Sequence, residues 1–230
     1  MMRILAVDTS TRSCSVAVVD GNDLLAEVTS GNGQTHSRHL MAMIDSVLGL
    51  AGLDLSMTDG LAFTCGPGSF TGLRIGISTI LGISAATRKP IAGISGLDAL
   101  AMQAATPDMT ICPLIDGRRN EVYCARYRWI NGELVKEMAE QVLLPEMAIS
   151  GVNTPALFAG NGALLYQTLI RNRLGDGARF ALSCQNTLRA STVAWISLKR
   201  FENGDTDDIF RFEPMYIRRP DAKIPAPFKP

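Results

Sequence analysis

The apolar patterning of this 230-residue chain runs through three strands, a helix, a strand and a helix, and then repeats that order. Residues 4–7, 14–19 and 24–28 are short runs rich in Val, Ile and Leu, separated by the turn-forming stretches Asp8-Thr9-Ser10-Thr11 and Asp20-Gly21-Asn22. Over His36–Leu50 the apolar residues recur at helical spacing. Residues 61–64 form a short strand, and Phe70–Thr87 is a second helix that stops at the Lys89-Pro90 step. A strand at 91–94 and a helical 97–105 lead to the second copy. There, strands are predicted at 110–115, 121–129 and Glu133–Leu143, with Asn131-Gly132 as a hairpin turn. A short helix at 145–149, a strand at Ala156–Ala159 and a helix at 163–172 complete it, and a last helix spans 192–201. The copies share order rather than residues.

Neither the strand–helix alternation of a doubly wound domain nor the strand-only pattern of a sandwich produces this order. Tandem βββαβα units belong to the duplicated ribonuclease-H-like fold of actin, sugar kinases and heat-shock ATPases. The expectation is therefore an α/β protein of two subdomains, residues 1–105 and 106–213, with a proline-rich, basic tail at 214–230. In that superfamily the turn after the first strand of each half holds phosphates between the halves.

Composition narrows the function. With 22 basic and 22 acidic residues the formal charge is zero, so no global field attracts a nucleic-acid backbone, and a partner would have to hold any nucleic acid. The tail residues Arg218, Arg219, Lys223 and Lys229 are either a solvated extension or an RNA contact. Five cysteines, an odd number without C-x-x-C spacing, indicate neither a disulfide framework nor a zinc site. The N-terminus has no signal-peptide pattern, and the longest apolar stretch, around 75–86, is interrupted by Gly, Ser and Thr and too short for a bilayer. The expected location is the cytoplasm, without membrane contact.

The stretch G-P-G-S-F-T-G-L-R-I-G at 66–76 looks like a phosphate loop, yet it lacks the lysine of a Walker loop and the glycine spacing of a dinucleotide loop. A tight turn followed by Ser69 as helix cap accounts for the same residues. In the helix that follows, Leu73, Ile77, Ile80 and Leu81 share one face while Ile75 and Ile83 point away from it. Small residues, among them Gly72 and Gly76, thin the rest of its surface and would let another helix approach. The preceding helix is likewise apolar over about half its circumference, wider than a core stripe of roughly 100°. Such excess fits either a helix-on-helix partner interface or a third layer within the chain.

Asp8-Thr9-Ser10 could hold a hydrated cation and phosphate oxygens, or form a capped turn. The matching turn at 116–121, Asp116-Gly117-Arg118-Arg119-Asn120-Glu121, carries two arginines and an acid where an ATP site wants glycines. His36 and His39 lie three apart with no third ligand in view, so they read as helix-start residues rather than a metal site. Ser69 lacks a nucleophile elbow and Cys65 has no base beside it, so no catalytic residue is assigned.

M-R-I-L-A-V-D-T-S at 2–10, the glycine stretch at 66–76, I-D-G-R-R-N-E-V-Y at 115–123 and P-M-Y-I-R-R at 214–219 resemble, in order and along essentially the whole chain, the bacterial TsaB family, formerly YeaZ. The resemblance implies a non-catalytic subunit of the machinery that makes threonylcarbamoyladenosine beside the tRNA anticodon. It implies a TsaD-like, actin-fold transferase as partner, a TsaE-like ATPase reached through the complex, tRNA bound indirectly, and a homodimer when the chain is alone. It places the partner surface on the first two long helices, where Leu40, Met41, Ile44, Leu48, Thr71, Arg74, Ile75 and Ile83 become interface residues. Arg74, a charge in an apolar helix, then needs a carboxylate or carbonyls. No cofactor is required on this reading, and Asp8, Thr9, Ser10 and Asp116 are the remnant of a nucleotide site with weak binding at most. The metal-binding H-x-x-x-H of TsaD differs from His36-x-x-His39 in spacing and place, so no metal role transfers. The alternatives are an ATP-using kinase or ATPase and, behind it, the metallopeptidase suggested by an older glycoprotease label.

Overall fold

The computed structural model describes residues 1–31 and 36–218, the side chain of His36 excepted. Strand β1 (Arg3–Asp8) pairs antiparallel with β2 (Cys14–Asp20), which pairs antiparallel with β3 (Asp23–Ser30). On the other side of β1, β4 (Gly60–Gly66) and β5 (Ile91–Ser95) continue the sheet in parallel, giving the order β3-β2-β1-β4-β5. The second sheet is built from β6 (Thr110–Arg118), β7 (Glu121–Ile130), β8 (Glu133–Leu143), β9 (Ala156–Ala159) and β10 (Ala178–Phe180). Its order, β10-β9-β6-β7-β8, is that of the first sheet read from the opposite edge, so the duplicated ribonuclease-H-like topology holds.

Each first strand is buried on both faces, and its alternation assigns residues to two cores. From β1, Leu5 and Val7 point outward to helices α1 (His36–Leu50) and α2 (Phe70–Thr87), where they meet Leu40, Ile44, Val47, Leu73, Ile77 and Ile80. Ile4 and Ala6 point the other way, toward α3 (Gly96–Gln103) and α7 (Ala190–Glu202). Those two helices lie in one core that also takes Ile111, Ile115 and Tyr127 of the second sheet. On the far side of that sheet, α4 (Pro145–Ala148), α5 (Asn161–Leu165) and α6 (Gln167–Leu174) cover Cys112, Leu114, Val122 and Phe158.

Local chemistry explains several boundaries. Ser69 caps α2 by accepting from the Gly72 amide at 3.3 Å, and Arg88, in a left-handed conformation at φ 60°, ends it with its N–H on the Ser84 carbonyl. Asn131 and Gly132, both at positive φ, make the expected hairpin turn between β7 and β8.

Three expectations change. The helix predicted at 163–172 is two helices that break at Tyr166, whose φ of −105° and ψ of 19° leave the helical region. The unpredicted strand β10 spans only Ala178–Phe180, too short to show a period. The last helix, expected with the second half, packs on β1, β2, β4 and β5 of the first sheet. The apolar stretch at 75–86 also belongs to an 18-residue helix that could cross a membrane by length and composition, although Leu73, Ile77 and Ile80 face its own sheet.

Candidate functional site

The glycine loop closes onto the turn after β1. The Ser69 amide donates to the Ser10 carbonyl at 2.7 Å, and the Thr9 hydroxyl donates to the Gly72 carbonyl at 2.7 Å. A Cβ on Gly72 would lie 2.1 Å from the Thr9 carbonyl oxygen, and one on Gly76 2.3 Å from the Thr9 hydroxyl. These glycines let the start of α2 press against the chain's own first turn, rather than against another helix as their small size suggested. One carboxylate oxygen of the turn is used locally: Asp8 Oδ1 accepts from the Ser10 amide at 3.1 Å and the Ser10 hydroxyl at 2.6 Å. Asp8, Thr9 and Ser10 are all buried. The capped-turn reading of Asp8-Thr9-Ser10 has these two hydrogen bonds to Asp8 Oδ1 behind it.

A cleft of about 750 Å³ nonetheless opens at the C-terminal ends of β1, β4 and β6. Ser10, Thr11 and Arg12 form one wall, the loop from Pro67 to Thr71 another, and Asp116, Gly117, Arg118 and Asn161 the third. Ligands of open α/β sheets bind beyond such strand ends. Here the second half presents a hairpin tip whose Arg118, Arg119 and Asn120 all have positive φ. Asp116 is held in place at both ends: its N–H donates to Asn161 Oδ1 at 3.0 Å, and its Oδ1 accepts from the Arg118 N–H at 2.9 Å. Asp116 and Ser10 share this cleft, whereas Asp8 and Thr9 are buried and do not line it.

Cys65 is buried, and burial followed by the Asp207 charge pushes its thiol up to about 12, so it is no thiolate at neutral pH. Ser69 spends its oxygen on the helix cap. Among the described residues no three His, Cys, Asp or Glu side chains are grouped to hold a metal ion.

The second feature is a groove between α1 and α2, about 550 Å³, lined by residues including Met41, Phe70, Thr71, Arg74, Ile75 and Thr79. The structure divides the expected interface set. Leu40, Ile44 and Leu48 are 1%, 1% and 7% exposed and belong to the chain's own core, because the wide apolar face of α1 covers β2 and β3 as well as α2. Met41, Thr71 and Arg74 are exposed, and Ile75 and Ile83 are half-buried. Among the described residues Arg74 meets aromatic groups in place of a carboxylate or carbonyl: its guanidinium lies 3.9 Å over the Phe70 ring, and its Nε donates to the Tyr216 hydroxyl at 3.2 Å. Sequence reasoning misses Phe70 and Tyr216. Two aromatics, Phe212 just before the proline-rich tail and Tyr216 at its start, are the available signal.

Comparison with known proteins places the chain in a family. The family model described as TsaD, tRNA N6-adenosine threonylcarbamoyltransferase, matches residues 25–226. The tRNA threonylcarbamoyladenosine biosynthesis protein TsaB of Haemophilus influenzae is 32% identical over 94% of both chains. That of Escherichia coli is 31% identical over 98% of this chain and 99% of its own length. A Pseudomonas aeruginosa crystal structure, described as an uncharacterized protein with similarity to peptidase YEAZ, superposes with a TM-score of 0.81 at 28% identity, covering 95% of this chain and 100% of that one. With the same two-sheet architecture and relatives matched from end to end, the chain belongs to the TsaB family, within the wider group that the TsaD model describes.

Proposed function

We propose that this chain is a non-catalytic subunit in the biosynthesis of threonylcarbamoyladenosine in tRNA, acting in the cytoplasm, and that it supports a TsaD-like transferase by docking through the α1–α2 face. The observation that carries this reading is the open groove between the two helices: Met41 and Phe70 are exposed large apolar side chains beside it, and Ile75 is left half-covered. The same face would join two copies when the transferase is absent. A TsaE-like ATPase and tRNA would be reached through the complex, consistent with a chain of zero formal charge.

No cofactor is required on this reading. The rival, an ATP-using enzyme, draws on the interdomain cleft, but in the cleft's first turn Asp8 Oδ1 is already taken by the Ser10 hydroxyl, and its second turn is an arginine-bearing hairpin. Magnesium-dependent ATP binding to the isolated chain would favour that rival.

The test is affinity purification of the tagged protein from its own cells, beside an Ile75→Glu variant. The expected result is stoichiometric recovery of a larger actin-fold protein with the parent chain and its loss with the variant, both chains keeping the same circular dichroism. Equal recovery with Ile75→Glu would remove the groove from the interface. Absence of the partner, from cells shown to contain it, would overturn the reading itself.

A further inference from the structure

The segment after α7 does not leave the molecule directly. The Asp207 N–H donates to the Ile91 carbonyl at 2.9 Å, and its carboxylate accepts from the Gly93 amide at 2.7 Å. Phe212 packs edge-on against Phe63, centroids 4.9 Å apart at 78°. The Met215 amide donates to the Cys65 carbonyl at 2.9 Å, and the backbone passes so close that a Cβ on Gly66 would sit 2.5 Å from the Met215 carbonyl oxygen. Tyr216 then packs on Phe70, centroids 5.3 Å apart, and accepts from Arg74. All of these attachments are to the first half. Two residues later, Arg218 grips the second: its Nη1 donates to the Gly117 carbonyl at 2.9 Å, its Nη2 pairs with the Glu121 carboxylate, and its guanidinium lies 5.9 Å from the Tyr123 ring.

Met215, Tyr216, Ile217 and Arg218 also line the interdomain cleft. The segment therefore crosses the space in which other proteins of this fold hold phosphates between their halves. We propose that residues 212–218 are a built-in clasp: anchored on the first half and fastened by Arg218 to the β6–β7 hairpin, they set the opening of the two halves in the place where a nucleotide would otherwise bridge them. The geometry suits that task. The halves share a continuous apolar core around α3 and α7, which serves as the hinge, and the clasp ties the cleft at the C-terminal ends of β1, β4 and β6. Because Arg74 and Phe70 lie on α2, the clasp also runs from the groove to the hairpin tip. A charge-assisted grip of one guanidinium on a carbonyl and a carboxylate is directional, so it fixes spacing as well as adding attraction.

The isolated full-length chain provides the test, independently of any partner. Spin labels on Leu50→Cys and Met147→Cys, both exposed and on opposite halves, in a Cys184→Ser background, report the distance between the halves by pulsed electron resonance. The parent is expected to give one narrow distribution. Arg218→Ala, and separately Glu121→Gln, are expected to shift or broaden it by more than about 2 Å, the scale of ordinary domain rearrangements. Tyr216→Ala, which loosens the anchored end, should act in the same direction. Unchanged distributions in folded Arg218→Ala and Glu121→Gln would overturn the clasp. So would a lowered melting temperature with unchanged distances, since that marks a tie that adds stability without setting the opening.

Discussion

Replacing Gly72 by alanine tests whether the glycine loop exists for packing. A Cβ there would meet the Thr9 carbonyl oxygen at 2.1 Å, well inside the 3.4 Å lower edge of ordinary contact, and it would meet the Ser69 Cβ at 3.3 Å. The obstacle is backbone in a buried turn, so it cannot swing aside as a flexible side chain would. Overpacking of this kind costs about 1–3 kcal/mol, and disturbing the Thr9-to-Gly72 hydrogen bond adds about 1 kcal/mol. The better helix propensity of alanine returns about 1 kcal/mol. The net expectation is a loss of about 1–3 kcal/mol, or ~2–4 °C of melting temperature per kcal/mol in a chain of this size. Gly82 lies in the same helix, is exposed, and has open space within 4 Å of where a Cβ would sit, so Gly82→Ala should gain up to about 1 kcal/mol. Urea unfolding of both variants, with midpoints compared at unchanged slope, reads the difference. If Gly72→Ala proves as stable as Gly82→Ala, the close-packing account of the loop is wrong.

Thiol reactivity should separate the cysteines. Burial raises Cys14, Cys65 and Cys112 to about 12 and Cys124 to about 11, so at pH 8 Ellman's reagent should react promptly with the exposed Cys184 alone in the native chain, and with all five in denaturant. Rapid native reaction of more than one thiol would contradict the core. The Tyr127 hydroxyl, buried and 2.5 Å from Asp98 Oδ1, is driven well above the ordinary phenol range, by burial first and then by the Asp98 charge. A phenol whose folded value is raised binds its proton more tightly when folded. Its stabilisation is present below the unfolded value of about 10 and is lost as pH rises past it. Urea midpoints from pH 8 to 10.5 should therefore fall less steeply in Tyr127→Phe, and parallel slopes would refute the assignment.

Much of the fold was legible because it rests on local rules. The bounds of α1 and α2, the β7–β8 hairpin and the Ser69 cap follow from helical spacing, paired turn residues and a hydroxyl at a helix start. The candidate sites were less legible. The apolar width of α1 was visible, but whether Leu40, Ile44 and Leu48 met a partner or the chain's own sheet was not, since burial depends on what packs opposite. The amphipathic pattern records only that something does.

The sequence by itself therefore determined the order of the main elements, β10 and the break at Tyr166 excepted, and their duplication, which depend on neighbours a few residues apart. Only the tertiary structure decided which glycines face Thr9, which helix side chains stay open, and that Tyr216 meets Arg74 across a separation of 142 residues. Those contacts follow from strand register and from the return of α7 to the first sheet. No local periodicity encodes a pairing between segments brought together only when the sheets close on their shared core.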